Sequence, residues 1–183
     1  AALGLFGIGA SVVVAVIDDG VDFSHADLAQ RWWVNQAEAE GLSGEDDDGN
    51  GYVDDVHGWD FCDNDSTVGP EGADWHGTHV AGTIAASANG QGVVGVAPGV
   101  SVMSLRTFAG GGSCGSGDLG IIAAIDYAAS FGVPLINASW SGPERSFPLE
   151  NAISDAAGTL LVAAAGNQAS DMGGGGQRVY PAA

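Results

Sequence analysis

Ser11-Val12-Val13-Val14-Ala15-Val16-Ile17-Asp18 is the stretch on which the fold turns. The run is continuously apolar and β-branched rather than alternating, so it reads as a central parallel strand covered on both faces. It ends on acid, with Asp19-Gly20 following Asp18. Open α/β sheets carry functional groups at the carboxyl ends of their strands, so Asp18 stands where a catalytic or binding carboxylate belongs. A helix cap or turn aspartate is the plainer reading.

Outward from that strand, helical and extended patterns alternate. Asp27 to Val53 loses periodicity and reads as a long loop with helical turns near Ala26–Gln30 and Asn35–Glu40. Val56–Phe61 reads as a short edge strand, His76–Ala88 as a helix of small residues, and Ser101–Phe108 as a strand. Gly110–Gly117 is a glycine-serine loop, after which Asp118 caps a helix through Ser130 with Ile121, Ile122, Ile125 and Ala129 on its apolar face. Val133–Trp140 is a strand, Pro148–Ala157 a helix, and Thr159–Ala165 a further strand, buried like the first. The order predicts an α/β fold: a doubly wound, mainly parallel sheet with helices on both faces. No repeat or linker divides residues 1–183, which read as one domain carrying an acidic insertion at about 43–60.

Composition narrows the partners. With 45% hydrophobic residues and 31 glycines in 183, the chain can bury a real core, and no apolar run approaches the roughly 20 residues that span a bilayer. It begins with Ala rather than Met and shows no signal peptide, so a targeting segment is expected to have been removed or never included. Acidic residues number 23, against four arginines and no lysine, which argues against nucleic acid and against an anionic membrane as partner. Cations fit better. Glu45–Asp74 holds eleven of the acids, a concentration that favours a metal site over a uniformly salt-adapted surface, though both are compatible with the remainder. Cys62 and Cys114 allow one disulfide or two buried thiols; with an acidic calcium-type loop they point to a secreted setting.

Asp74-Trp75-His76-Gly77-Thr78-His79-Val80-Ala81-Gly82 is the chemical centre. Two histidines three residues apart could ligate zinc, but no Glu-x-x-His motif accompanies them. A histidine opening a helix, with Gly77 permitting close approach, suits a general base that reaches a hydroxyl on one side and a carboxylate such as Asp18 on the other. His79 reads as structural, hydrogen-bonded within the helix. In the acidic window, Asp46-Asp47-Asp48-Gly49-Asn50-Gly51-Tyr52-Val53-Asp54 follows calcium-loop spacing: oxygens from Asp46, Asp48, Asn50 and Asp54, a turn at Gly51 and the Tyr52 carbonyl. His57 stands where an EF-hand would place its bidentate Glu, so a helix–loop–helix hand is not expected. A solvated acidic loop is the bland alternative.

Six segments in order carry a resemblance: Val16–Asp22, Ser24–Leu28, His76–Ala85, Gly95–Pro98, Asn137–Trp140 and Ala163–Asn167. Together they resemble the subtilisin-like serine proteases, the subtilases, from about Gly7 to the carboxyl end. The resemblance implies an Asp-His-Ser triad with Asp18 as the aspartate and His76 as the base, and Asn167 as the side-chain donor to the oxyanion. It implies that Ser139-Trp140-Ser141-Gly142 pairs with an extended polypeptide substrate and walls its main pocket, with Ser141 standing where the commoner pattern has Gly. It implies calcium in the acidic insertion, with Asp55 or Asp60 completing the shell, and a second calcium at Asp27 and Asn89. Secretion, an inhibitory propeptide and a monomeric state complete the expectation.

The nucleophile's Gly-Thr-Ser motif is absent from the 183 residues; Ser146, Ser154 and Ser170 lack its context. The expectation is therefore a fold incomplete at its C-terminal end, from a serine endopeptidase, and inactive as this chain. A non-catalytic calcium- or peptide-binding module on a degenerate protease scaffold is the alternative.

Overall fold

β1 (Val13–Asp18) takes the middle of a five-stranded sheet with β2 (Gly58–Asp60) and β3 (Ser101–Arg106) on one side, and β6 (Leu135–Ala138) and β7 (Leu160–Ala163) on the other. Every neighbouring pair is parallel, and Asp18 lies opposite Arg106 at the strand ends. The computed structural model describes residues 12–110, 112–114, 117–142, 145–167 and 179–182; Ser11, Ser170 and part of the Gly110–Gly117 loop lie outside them.

The two-residue period of a strand explains the layering. Ala15 and Ile17 of β1 and Met103 and Leu105 of β3 face a core closed by α3 (Asp118–Ser130) and α4 (Phe147–Asp155). Val16 and Val102 face the opposite way, into a second core beneath α2 (His76–Ala85), whose Ala81 and Ala85 let the helix sit close to the sheet. Helices on both faces and a continuously apolar β1 are thus one fact. Ile17, wholly buried, would cost about 2–5 kcal/mol on truncation to Ala.

Several local expectations are corrected. α2 ends at Ala85 rather than Ala88, because the Ser87 amide donates to the Asp27 carbonyl (2.9 Å) and draws the chain off the helix axis. Gly117, at φ 52°, occupies the cap of α3, and Asp118 is its first helical residue rather than its cap. The glycine-serine loop contains an antiparallel hairpin of β4 (Phe108–Ala109) and β5 (Gly112–Ser113), and Cys114 beyond it is bridged to Cys62 with Cα atoms 5.2 Å apart. β7 is not the buried strand its composition promises: Leu160 is 62% and Val162 48% exposed. As the sheet's outermost strand it turns Leu161 to the α3–α4 core, while α2, packed over β1 and β3, leaves its other face open among the described residues. The expected loop helix is a short α1 (Gln36–Glu40).

Candidate active site and acidic loop

Asp18 ends the central strand at the point where strand order reverses, β3 to one side and β6 to the other, which is where open α/β sheets form a crevice. α2 opens against it. The Nδ1 of His76 lies 2.8 Å from Asp18 Oδ1 and 3.0 Å from Oδ2. A carboxylate has no proton to give, so Nδ1 carries the hydrogen and donates, leaving the Nε2 lone pair for the cleft. Gly77 makes the approach possible: a Cβ there would meet the Gly20 carbonyl oxygen at 2.4 Å and Asp18 Cβ at 2.9 Å.

Environment separates the two partners. Asp18 is buried, which pushes its carboxyl above the usual range, while the hydrogen bonds from His76 and the Asp19 amide pull it back down only in part. The His76 ring is 51% exposed, open to a cleft of about 830 Å³. Ser139, Trp140, Ser141 and Gly142, which follow β6, line another wall of this cleft, and Asn167 reaches it beyond β7. Gly166, at φ 82°, makes the bend before Asn167, a conformation that side chains rarely adopt. All three elements of the sequence-read site therefore face one crevice. The Trp140 ring lies 6.1 Å from that of Phe108, and the Gly142 amide and carbonyl exchange hydrogen bonds of 2.9 Å with Tyr180.

His79 turns elsewhere, its ring edge-on to Trp75 at 6.0 Å; only its backbone joins the helix hydrogen bonding, through the Trp75 carbonyl and the Thr83 hydroxyl. Ser146 is occupied as the cap of α4, and the Ser154 hydroxyl donates to the Glu150 carbonyl. Sequence reading passed over Asp19, whose buried carboxylate accepts from the amides of His76 and Gly77.

In the acidic insertion, carboxylate oxygens of Glu38, Asp46 and Asp48 lie within 4.8 Å of one another. Glu38 comes from α1 and was missed, because an acid in a short helix eight residues before Asp46, where the loop begins, gives no local signal. It accepts from the amides of Asp47 (2.7 Å), Asp48 (3.2 Å) and Asp54 (2.9 Å), fastening the loop to the helix. Asp46 likewise accepts from the amides of Gly49, Asn50 and Gly51. Three clustered carboxylates with hard oxygens and lone pairs to spare fit a cation such as calcium.

The side chains of the other predicted ligand residues make contacts of their own. Asp54 turns to the Gly44 amide (2.8 Å), and Asn50 directs its Nδ2 at Asp48 and Asp55, so its amide must turn over to ligate a cation. The Tyr52 ring packs edge-on against Trp59 and Tyr127. Asp55 is fully buried and bound by Tyr127, Asn35 and Asn50, whereas Asp60 pairs with the buried Arg106 and so does not complete the loop. At the second expected site, Asn89 Nδ2 donates to Asp27 Oδ1 (2.9 Å) and the Val93 amide to Oδ2 (3.2 Å), contacts that hold the Asp27 carboxyl below its ordinary range.

Comparison with known proteins gives the family. The profile of the subtilase family matches residues 9–183, and the chain belongs to that family. It is 37% identical over 165 residues to subtilisin DY of Bacillus licheniformis, covering 88% of this chain and 49% of that protein. Fervidolysin of Fervidobacterium pennivorans, described as a keratinolytic enzyme related to subtilisin, is 34% identical over 180 residues. Its crystal structure superposes with a TM-score of 0.68 at 31% identity, covering 93% of this chain and 23% of that one. A cold-adapted subtilisin-like serine proteinase gives 0.66 at 29% identity, covering 93% and 50%. The chain thus spans half or less of the length of these relatives.

Proposed function

We propose that this chain is part of a serine endopeptidase in which Asp18 orients His76 as the general base and Asn167 donates to the oxyanion. The observation that carries the reading is the Asp18–His76 pair at the mouth of a cleft also lined by Asn167 and the Ser139–Gly142 segment. In the reaction, Nε2 would take the proton of a serine hydroxyl as it attacks the scissile carbonyl, and Asp18 would stabilise the imidazolium so formed. Asn167, a neutral donor at the cleft, suits developing charge on the carbonyl oxygen, a role whose loss costs on the order of 3 kcal/mol of barrier. The backbone after β6, ahead of the Gly142–Tyr180 pairing, would receive an extended polypeptide by strand pairing, a mode that depends little on side chains.

No nucleophile motif occurs among the 183 residues, so the chain by itself is inactive in this account. The acidic loop would hold a calcium ion through Glu38, Asp46 and Asp48, neutralising their mutual repulsion and ordering the insertion; Asp27 and Asn89 would hold a second. The disulfide supports a secreted, oxidising setting. No helix among the described residues is long and apolar enough to cross a membrane. The test is His76→Ala in the product of the whole reading frame: turnover of a peptide substrate is expected to be nearly abolished with thermal stability preserved. Turnover like that of the unmutated protein rejects His76 as the base.

A further inference from the structure

We propose that Asp19 is a positioning residue for His76: it clamps the first turn of α2 to the end of β1, so that the imidazole meets Asp18 in one tautomer and one orientation. This rests on the reading of His76 as the base.

The first turn of a helix has amide hydrogens without intrahelical partners, and a short polar residue at the cap ordinarily accepts from them. α2 lacks one. Its cap position is Trp75, at φ −153°, with no side-chain hydrogen bond, and the carboxylate of Asp74 just before it is turned to the Gly110 amide. The acceptor arrives instead from 57 residues upstream. Asp19 Oδ2 accepts from the His76 amide at 3.1 Å and Oδ1 from the Gly77 amide at 2.6 Å.

Asp19 is 7% exposed and has no cationic partner among the described residues. A buried carboxylate in that state is costly unless its oxygens are satisfied. Two charge-assisted bonds at the positive end of a helix supply that satisfaction, so the carboxylate is bound to this place and no other. Consecutive residues of one strand end then grip a single residue of the helix at two points. Asp18 holds the ring of His76 and Asp19 holds its backbone. The closed loop so formed leaves the imidazole little freedom to rotate away from Asp18. Gly77 belongs to the same device, because a Cβ at that position would lie 3.0 Å from Asp19 Oδ1 as well as clashing with Gly20.

The experiment is 15N NMR of histidine-labelled chain, reading the Nδ1 and Nε2 shifts of His76, with His25, His57 and His79 as internal controls. The unmutated chain is expected to show His76 held as the Nδ1–H tautomer. Asp19→Ala should move it toward the tautomer mixture of free imidazole while the other three histidines stay put. Asp19→Asn, which keeps the shape and one acceptor, should fall between. Should Asp19→Ala not fold, Asp19→Asn decides alone. An unchanged His76 tautomer in the folded variants would falsify the clamp and leave Asp19 as an ordinary helix cap. Asp18→Ala, which leaves Nδ1 no side-chain acceptor at that position, tests the underlying reading separately: if it too leaves the His76 tautomer untouched, the Asp18–His76 pairing fails, and the clamp fails with it.

Discussion

The hydroxyl of Tyr127 on α3 donates to Asp55 Oδ2 at 2.6 Å, tying the acidic insertion to the core under the sheet. Asp55 is wholly buried; burial raises its carboxyl, and the hydrogen bonds from Tyr127, Asn50 and Asn35 offset part of the rise. Burial and the neighbouring carboxylate in turn push the Tyr127 hydroxyl far above the ordinary value of 10.0. The folded chain therefore holds this proton more tightly than the unfolded one. Its contribution is fully present below about pH 10 and is lost as pH rises beyond it. Ultraviolet titration of the three tyrosines should show Tyr127 ionising only as the protein unfolds, and Tyr127→Phe should cost about 1–3 kcal/mol by leaving Asp55 short of a donor. Ionisation of Tyr127 near pH 10 in the folded state would contradict this.

Glu38 supplies the second prediction. If Glu38, Asp46 and Asp48 hold calcium, saturating ion should raise the melting temperature, with about 4 kcal/mol available at a thousandfold excess over Kd. Glu38→Gln, which removes a charge while keeping the shape, should lower the affinity by tenfold or more. Equal calcium-dependent stabilisation in Glu38→Gln and the unmutated chain would remove Glu38 from the site.

Cys62 and Cys114 close a segment with a sequence separation of 52, joining the residues after β2 to the hairpin whose Phe108 and Gly110 line the cleft. Loop-closure entropy for that length gives the bridge about 4 kcal/mol. Paired Cys62→Ser and Cys114→Ser substitutions should lower the denaturation free energy by up to this amount, read by urea unfolding under non-reducing conditions. No change in stability would contradict the loop-closure argument, because that contribution comes from constraining the unfolded chain whatever holds the hairpin in the folded one.

Much of this molecule was legible in its sequence because the signals were local. A continuous run of β-branched residues made β1 central, and the histidine after Trp75 could be paired with the acid ending that strand. What escaped reading depended on residues far apart in the chain. Asp19 caps a helix 57 positions away, and Glu38 meets the acidic loop from outside the window in which a completing ligand was sought. The exposure of Leu160 and Val162 was hidden for a related reason: apolar composition says that a face wants covering, while sheet order decides whether anything lies over it.

The account's central claim is that Asp18 and His76 serve a serine lying outside these 183 residues. Labelling with a fluorophosphonate probe tests it most directly. The 183-residue chain should take up no label, whereas the product of the whole reading frame should be labelled on one serine beyond residue 183, and His76→Ala should slow that labelling by several orders of magnitude. Time-dependent labelling of a serine within residues 1–183, or a reading frame that ends at Ala183, would contradict it.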